Sequence, residues 1–115
     1  MPNVPGKTAE KQLAGRALDA LGHQTRRDIL SLLREGPLPV GSIAARLPIS
    51  RPAVSKHLRI LEEAGLVAFT AQGTRNIFYL RPAGFRDASL YLEQFWDEAL
   101  ARFKRVAEEM DKAEP

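Results

Sequence analysis

The chain has 115 residues, and its 44% apolar content suffices for one domain with one hydrophobic core. The absence of cysteine excludes disulfides and thiolate metal sites, and no uninterrupted run of 18 apolar residues is available to span a bilayer. The net charge of +3 is small, and the N-terminus lacks the apolar region of a secretion signal, so we expect a cytoplasmic protein.

The first third of the chain predicts a tail and two helices. Residues 1–8 contain prolines and a glycine, which favour a flexible tail. Apolar residues at helical spacing predict helices over residues 9–21 and 24–35, and Gly36 is a suitable stop for the second. The prolines that follow predict an extended connection, which can form a short edge strand.

The middle of the chain predicts a helix–turn–helix unit. A short helix is expected over residues 40–46, followed by a tight turn at Pro48. Ser50 has the side chain of a strong N-cap, and Pro52 lies in the first turn, where a missing N–H is harmless. The helix that begins there should run to about Ala64 and end at Gly65.

Alternating apolar residues then predict two strands over residues 66–71 and 76–80, joined by a hairpin turn at residues 72–75. A long helix over residues 83–111 completes the chain. The fold class expected is mainly α with a β-hairpin wing, a winged helix-turn-helix of five to six helices. We assign residues 9–82 to this domain and residues 83–115 to a C-terminal dimerisation helix.

The charge is distributed unevenly along the chain. Residues 36–86 contain seven basic and two acidic side chains, whereas residues 87–115 contain four basic and eight acidic ones. No acidic residue occurs between positions 36 and 61. The middle of the chain is therefore suited to a polyanion.

A helical wheel for residues 50–64 separates an apolar arc from a polar, basic arc. The basic side chains lie toward the start of this helix, the end that enters the major groove in helix-turn-helix proteins. An ordinary solvated helix would show the same amphipathic pattern, but the adjoining short helix and hairpin favour DNA. The predicted DNA contacts are Ser50, Arg51, Pro52, Ala53, Ser55, Lys56 and Arg59 on the helix, and Thr74, Arg75 and Asn76 at the hairpin tip.

The last helix has more apolar surface than one small domain needs, which indicates burial from two sides. A second copy of the chain, related by a two-fold axis, would cover the other side of this helix. It would also place the two copies of the helix over residues 50–64 in successive major grooves of DNA. The alternative is an intramolecular core helix. The predicted dimer interface comprises Leu13, Ala14, Leu18, Tyr91, Leu92, Phe95, Trp96, Ala99, Phe103 and Val106.

Three segments together resemble a known family: RRDIL at residues 26–30, SRPAVSKHL at 50–58 and LEEAGLV at 61–67. With the Gly73-Thr74-Arg75 turn and Tyr79, they are similar to the ArsR family of bacterial winged-helix repressors, over about residues 14–82. The resemblance implies a homodimer that binds a roughly palindromic operator and usually represses. It also implies DNA reading by residues 50–59 and backbone contact by the wing.

The sequence departs from the metal sensors of that family. Their Cys-x-Cys on the third helix is replaced by Val40-Gly41-Ser42, and no histidine follows His57. Carboxylates such as Glu93 and Asp97 alone make a poor site for soft metals. We therefore predict no metal site and no cofactor.

No catalytic constellation is found, so the chain is predicted not to be an enzyme. Ser55 and His57 point about 200° apart on their helix, which rules out a nucleophile–base pair. His57 lies on the core side and is interpreted as structural, with a pH-sensitive role left open, and His23 as a turn residue. Two alternative functions remain, a winged-helix module that binds protein and a regulator that binds a small molecule near Tyr91 and Trp96.

Overall fold

The structure, a computed structural model, describes the backbone of residues 5–113 and the side chains of residues 12–112. Five helices occur in this range: α1 (Pro5–Leu21), α2 (Gln24–Leu33), α3 (Val40–Ala44), α4 (Arg51–Glu63) and α5 (Pro82–Ala113). The predicted order of helices and hairpin is confirmed. In the part of the chain that is described, no helix is both long and apolar enough to cross a membrane.

A small antiparallel sheet is formed by β1 (Leu38–Pro39), β2 (Val67–Gln72) and β3 (Arg75–Leu80), in the order β1-β3-β2. The hairpin register pairs Gln72 with Arg75 and Val67 with Leu80. β1 is the edge strand expected from the prolines, and its two residues pair with Phe78 and Ile77 of β3. The sheet thus ties the hairpin to the segment that leads into α3.

One hydrophobic core joins the sheet to α1–α4 and to the start of α5. Side chains from α2, α3 and α4 are fully buried in it because each helix turns its apolar arc inward. The largest fully buried residues are Ile29, Ile43, Val54, Leu58, Leu61, Leu66 and Val67. This core fixes the orientation of α4 relative to the hairpin.

Several predicted boundaries were wrong by two to four residues. α1 begins at Pro5 and not at residue 9, because proline is tolerated in a first helical turn. Of the predicted tail, residues 5–8 are therefore helical, and residues 1–4 lie outside the described residues. α2 ends at Leu33 and not at residue 35, since the chain leaves the helix through Gly36, whose φ is +148°.

α3 ends at Ala44, two residues before its predicted end. The next residues form tighter turns, in which Arg46 N–H donates to the Ile43 carbonyl at 3.1 Å. Pro48 follows and disfavours helical backbone in the residue before it. α5 extends one residue beyond its predicted start and two beyond its predicted end. The bounds of α4, β2 and β3 agree with prediction to within one residue.

The terminal helix α5 packs against α1, and Phe85 and Ala88 near its beginning join the hydrophobic core. Ala88 is buried, whereas every residue from Leu92 to Lys112 is exposed in the single chain. Phe95, Trp96 and Phe103 are 54%, 67% and 70% exposed. A large apolar surface of α5 is therefore not covered by its own chain.

The predicted interface needs one correction. Ala14 is buried inside the single chain, with 2% of its surface exposed, because α1 packs that face toward its own domain. It has almost no surface left for a partner. Leu13, by contrast, is 41% exposed and remains available.

Candidate nucleic-acid interface

The start of α4 is built as the sequence predicts. The Ser50 hydroxyl accepts a hydrogen bond from the Ala53 N–H at 3.3 Å, and Pro52 occupies the first turn. The cap fixes where the helix begins and satisfies one of its free N–H groups. The positive end of the helix also favours a nearby phosphate.

The two faces of α4 are separated as the helical wheel predicts. Val54, Leu58 and Leu61 are fully buried, which leaves the opposite face in solvent. Ala53 is half-buried and contributes only the edge of that face. The exposed residues of the predicted contact set on this helix are Ser50, Arg51, Pro52, Ser55, Lys56 and Arg59.

Arg59 differs from the other basic residues of α4 because it is paired. Its Nε lies 3.3 Å from a Glu63 carboxylate oxygen, one helical turn away. Both side chains are exposed, so the pair is weak and screened by salt. The positive charge of α4 is therefore concentrated on Arg51 and Lys56 in its first two turns.

The hairpin presents the second part of the site. Gly73 at its tip has a φ of +61°, a conformation that favours glycine, which allows the tight turn between β2 and β3. The rings of Phe69 and Phe78 lie 5.2 Å apart and couple the two strands. Thr74, Arg75 and Asn76 are consequently held at an exposed tip.

The structure brings α4 and the hairpin tip to one cleft of about 590 Å³. Arg51 and Ser55 line one wall, and all three predicted hairpin residues line the other. Two guanidinium groups from distant parts of the sequence thus border the same open surface. Lys56 and Arg59 are exposed on α4 outside this cleft.

Sequence reasoning missed the floor of this cleft, which is formed by residues 39–42 of β1 and α3. A side-chain carbon at Gly41 would lie 3.8 Å from Nη1 of Arg51, so the guanidinium passes over the glycine. A glycine inside a five-residue helix was the available signal, because glycine is unfavourable there unless something approaches closely.

The Ser50 cap of α4 should contribute to the stability of the fold. Replacing Ser50 with Ala removes the acceptor for the Ala53 N–H, and the free energy of unfolding should fall by about 1 kcal/mol. Urea unfolding without DNA measures this effect. Ser31→Ala is the control, since this serine lies inside α2 and donates only to the Arg27 carbonyl. If both variants unfold alike, the cap does not stabilise α4.

Comparison with known proteins identifies the family. The family model described as "Bacterial regulatory protein, arsR family" matches residues 23–68. The HTH-type transcriptional regulator Rv2034 of Mycobacterium tuberculosis is 44% identical over 91 residues, which are 79% of this chain and 85% of that protein. The chain belongs to the ArsR family. The family model and the relatives that match this chain are described as transcriptional regulators and not as enzymes.

Two further comparisons add detail. The transcriptional repressor SdpR of Bacillus subtilis is 33% identical over 76 residues, covering 66% of this chain and 84% of SdpR. A solution structure from Mycobacterium bovis is described as a homodimeric winged helix-turn-helix DNA-binding domain of a possible ArsR-family transcriptional regulator. It has a TM-score of 0.63 and 31% identity, covering 84% of this chain and 89% of that one. The chain is thus a transcriptional regulator with a winged helix-turn-helix DNA-binding domain.

Proposed function

We propose that this ArsR-family chain is a repressor that binds a palindromic operator as a homodimer. The first half of α4 lies in the major groove, and the hairpin tip contacts the flanking backbone or minor groove. Double-stranded DNA is its partner in the cytoplasm, where bacterial DNA is located. No metal or cofactor takes part in DNA binding.

The observation that carries this proposal is the shared cleft. Arg51 and Arg75 approach it from α4 and from the hairpin, although 24 positions separate them in sequence. A duplex seated there meets positive side chains from two elements. Because the first acidic residues of α4 come only at Glu62 and Glu63, phosphates along the start of the helix meet no repulsion from the helix itself.

A second copy of the chain supplies the other half of the operator contact. The exposed apolar surface of α5 resembles the interior of an obligate interface, in which aromatic residues dominate. Pairing through this surface creates two-fold symmetry, which a palindromic site mirrors. The proposed interface residues are Leu13, Leu18, Tyr91, Leu92, Phe95, Trp96, Ala99, Phe103 and Val106.

Repression is the sign of regulation that similarity to SdpR supports. The absence of metal sensing is proposed from the sequence, in which Val40-Gly41-Ser42 replaces the Cys-x-Cys of the metal sensors and no histidine follows His57. A zinc titration tests this directly, since tight stoichiometric binding that weakened DNA binding would contradict the proposal. A reporter gene behind the operator tests the sign, because an activator would raise its expression.

The exposed face of α4 is tested by single substitutions. Arg51→Ala or Lys56→Ala should each weaken operator binding by about 1–3 kcal/mol if the side chain reads a base edge. The loss should be larger on the operator than on an unrelated duplex, because base readout is specific. Binding titrations against the DNA upstream of the chain's own gene and against an unrelated duplex measure the two losses.

The hairpin is tested by Arg75→Ala, which should weaken binding to all DNA sequences. The slope of log affinity against log salt concentration should become shallower by about one. Arg34→Ala is the matched control, since it removes the same exposed charge from the end of α2, outside the cleft. If Arg75→Ala and Arg34→Ala weaken DNA binding equally, DNA does not lie in the cleft between α4 and the hairpin. An affinity for DNA that does not change with salt concentration would contradict phosphate contacts and would favour a winged-helix module that binds protein.

A further inference from the structure

The two histidines of the chain, 34 positions apart, meet in the fold. His23 precedes α2 and His57 lies on α4, and their ring centroids are 4.9 Å apart with the planes tilted by 50°. Apart from the terminal amine, these are the groups whose ordinary pKa lies closest to neutrality. The pair joins the α1–α2 turn to the helix proposed to read DNA.

Both rings use the same nitrogen as an acceptor. The Thr25 N–H donates to Nδ1 of His23 at 3.2 Å, which makes His23 the N-cap of α2. Nη1 of Arg26 lies 3.5 Å from Nδ1 of His57. Because a guanidinium can only donate, this Nδ1 carries no hydrogen in the contact. A proton added at Nδ1 of either ring therefore removes an existing interaction.

The arginine cannot turn away from a charged His57 ring without breaking other bonds. Its Nε donates to the Ala20 carbonyl at 2.8 Å, and its Nη2 donates to the Asp19 carbonyl at 3.3 Å. These contacts hold the guanidinium against the end of α1. A protonated His57 would face this fixed cation.

The surroundings of His57 all oppose its protonation. Burial lowers the pKa of His57 below its ordinary value, because it disfavours the charged form. The facing groups His23 from the α1–α2 turn, Arg26 from α2 and Lys56 from α4 itself lower this pKa further. The packed arrangement is thus the neutral form of the ring.

We propose that the His23–His57 pair is an acid-sensitive joint, in which protonation at Nδ1 releases α4 from the α1–α2 turn and lowers affinity for operator DNA. The effect on DNA rests on the proposed function. The joint itself rests on the ring contact and on the two Nδ1 acceptors.

The sign of the pH dependence follows from linkage. A released His57 regains the ordinary pKa of about 6.5, whereas the packed ring has a lower one. Below about pH 6.5 the released form therefore binds more protons and becomes favoured, by at most about tenfold per pH unit for one proton. The shift levels off once the packed ring is also protonated, and it is absent well above pH 7.

The test is operator affinity at pH 7.5, 6.5 and 5.5 and constant ionic strength, for the wild type, His57→Gln and His23→Gln. We expect wild-type affinity to fall about threefold or more across this range, while His57→Gln changes by less than about twofold. His23→Gln should retain part of the fall. A wild-type affinity that is constant or rises with acid would overturn the joint, as would an equal fall in His57→Gln.

A second measurement needs neither DNA nor a variant. The ring C–H resonances of the two histidines, followed by NMR in the wild-type protein, should show one histidine with a titration midpoint below that of a peptide histidine. A His57 midpoint at or above the peptide value overturns the joint. A chain that shows this low midpoint but binds no DNA at pH 7.5 would contradict the proposed function and leave the joint standing.

Discussion

Gly84→Ala should lower the free energy of unfolding by about 2–3 kcal/mol, although alanine is normally the better helix former. A side-chain carbon at this position of α5 would overlap the carbonyl group of Gly65, just after α4. The obstructing atoms are backbone and cannot rotate aside. In addition, Arg81 N–H donates to the Leu66 carbonyl at 2.9 Å, which fixes α5 close to this point.

Gly15→Ala is the matched control for this glycine. It lies inside α1, and a side-chain carbon there would meet no atom within 4 Å. The same substitution should therefore raise the free energy of unfolding by about 0.5–1 kcal/mol. Urea unfolding at one fixed protein concentration compares the two variants. If Gly84→Ala is as stable as Gly15→Ala, α5 does not pack closely on Gly65.

Phe103→Glu should convert the proposed dimer into a monomer. The phenylalanine is 70% exposed in the single chain, on the apolar surface that a partner would cover. A carboxylate buried there without a counter-charge is strongly unfavourable. Loss of the second reading helix should then reduce operator affinity by about 10²–10⁴-fold. Light scattering should give the protomer mass of 12.8 kDa.

Gln94→Glu controls for the added negative charge. Gln94 is also exposed on α5, about 180° around the helix from Phe103. This variant should keep the dimer mass and most of the operator affinity. A wild-type chain that is already monomeric at micromolar concentration would contradict the dimer, and a monomeric Phe103→Glu with unchanged affinity would contradict its role in DNA binding.

Local patterns predicted the elements of the site well because their causes are local. The serine cap of α4, its apolar arc and the glycine of the hairpin turn all act within a few residues. Boundaries failed where weak local signals competed, as at Pro5, where proline begins a helix as readily as it ends one.

Tertiary juxtapositions could not be predicted in the same way. The wheel placed His57 toward the core, and His23 was interpreted as a turn residue, but no local pattern revealed that their rings meet. The contact between Gly84 and Gly65 likewise joins residues 19 positions apart. Such contacts depend on how the helices pack, which a single sequence does not specify residue by residue.

The length of α5 has a consequence for how the protein folds. The side chains of residues 92–112 are exposed in the single chain, so this stretch of α5 gains little from burial against its own domain. If the proposed dimer covers this surface, pairing adds tertiary packing to the distal half of α5. The stability of this half of α5 should then depend on protein concentration, as it does in obligate dimers.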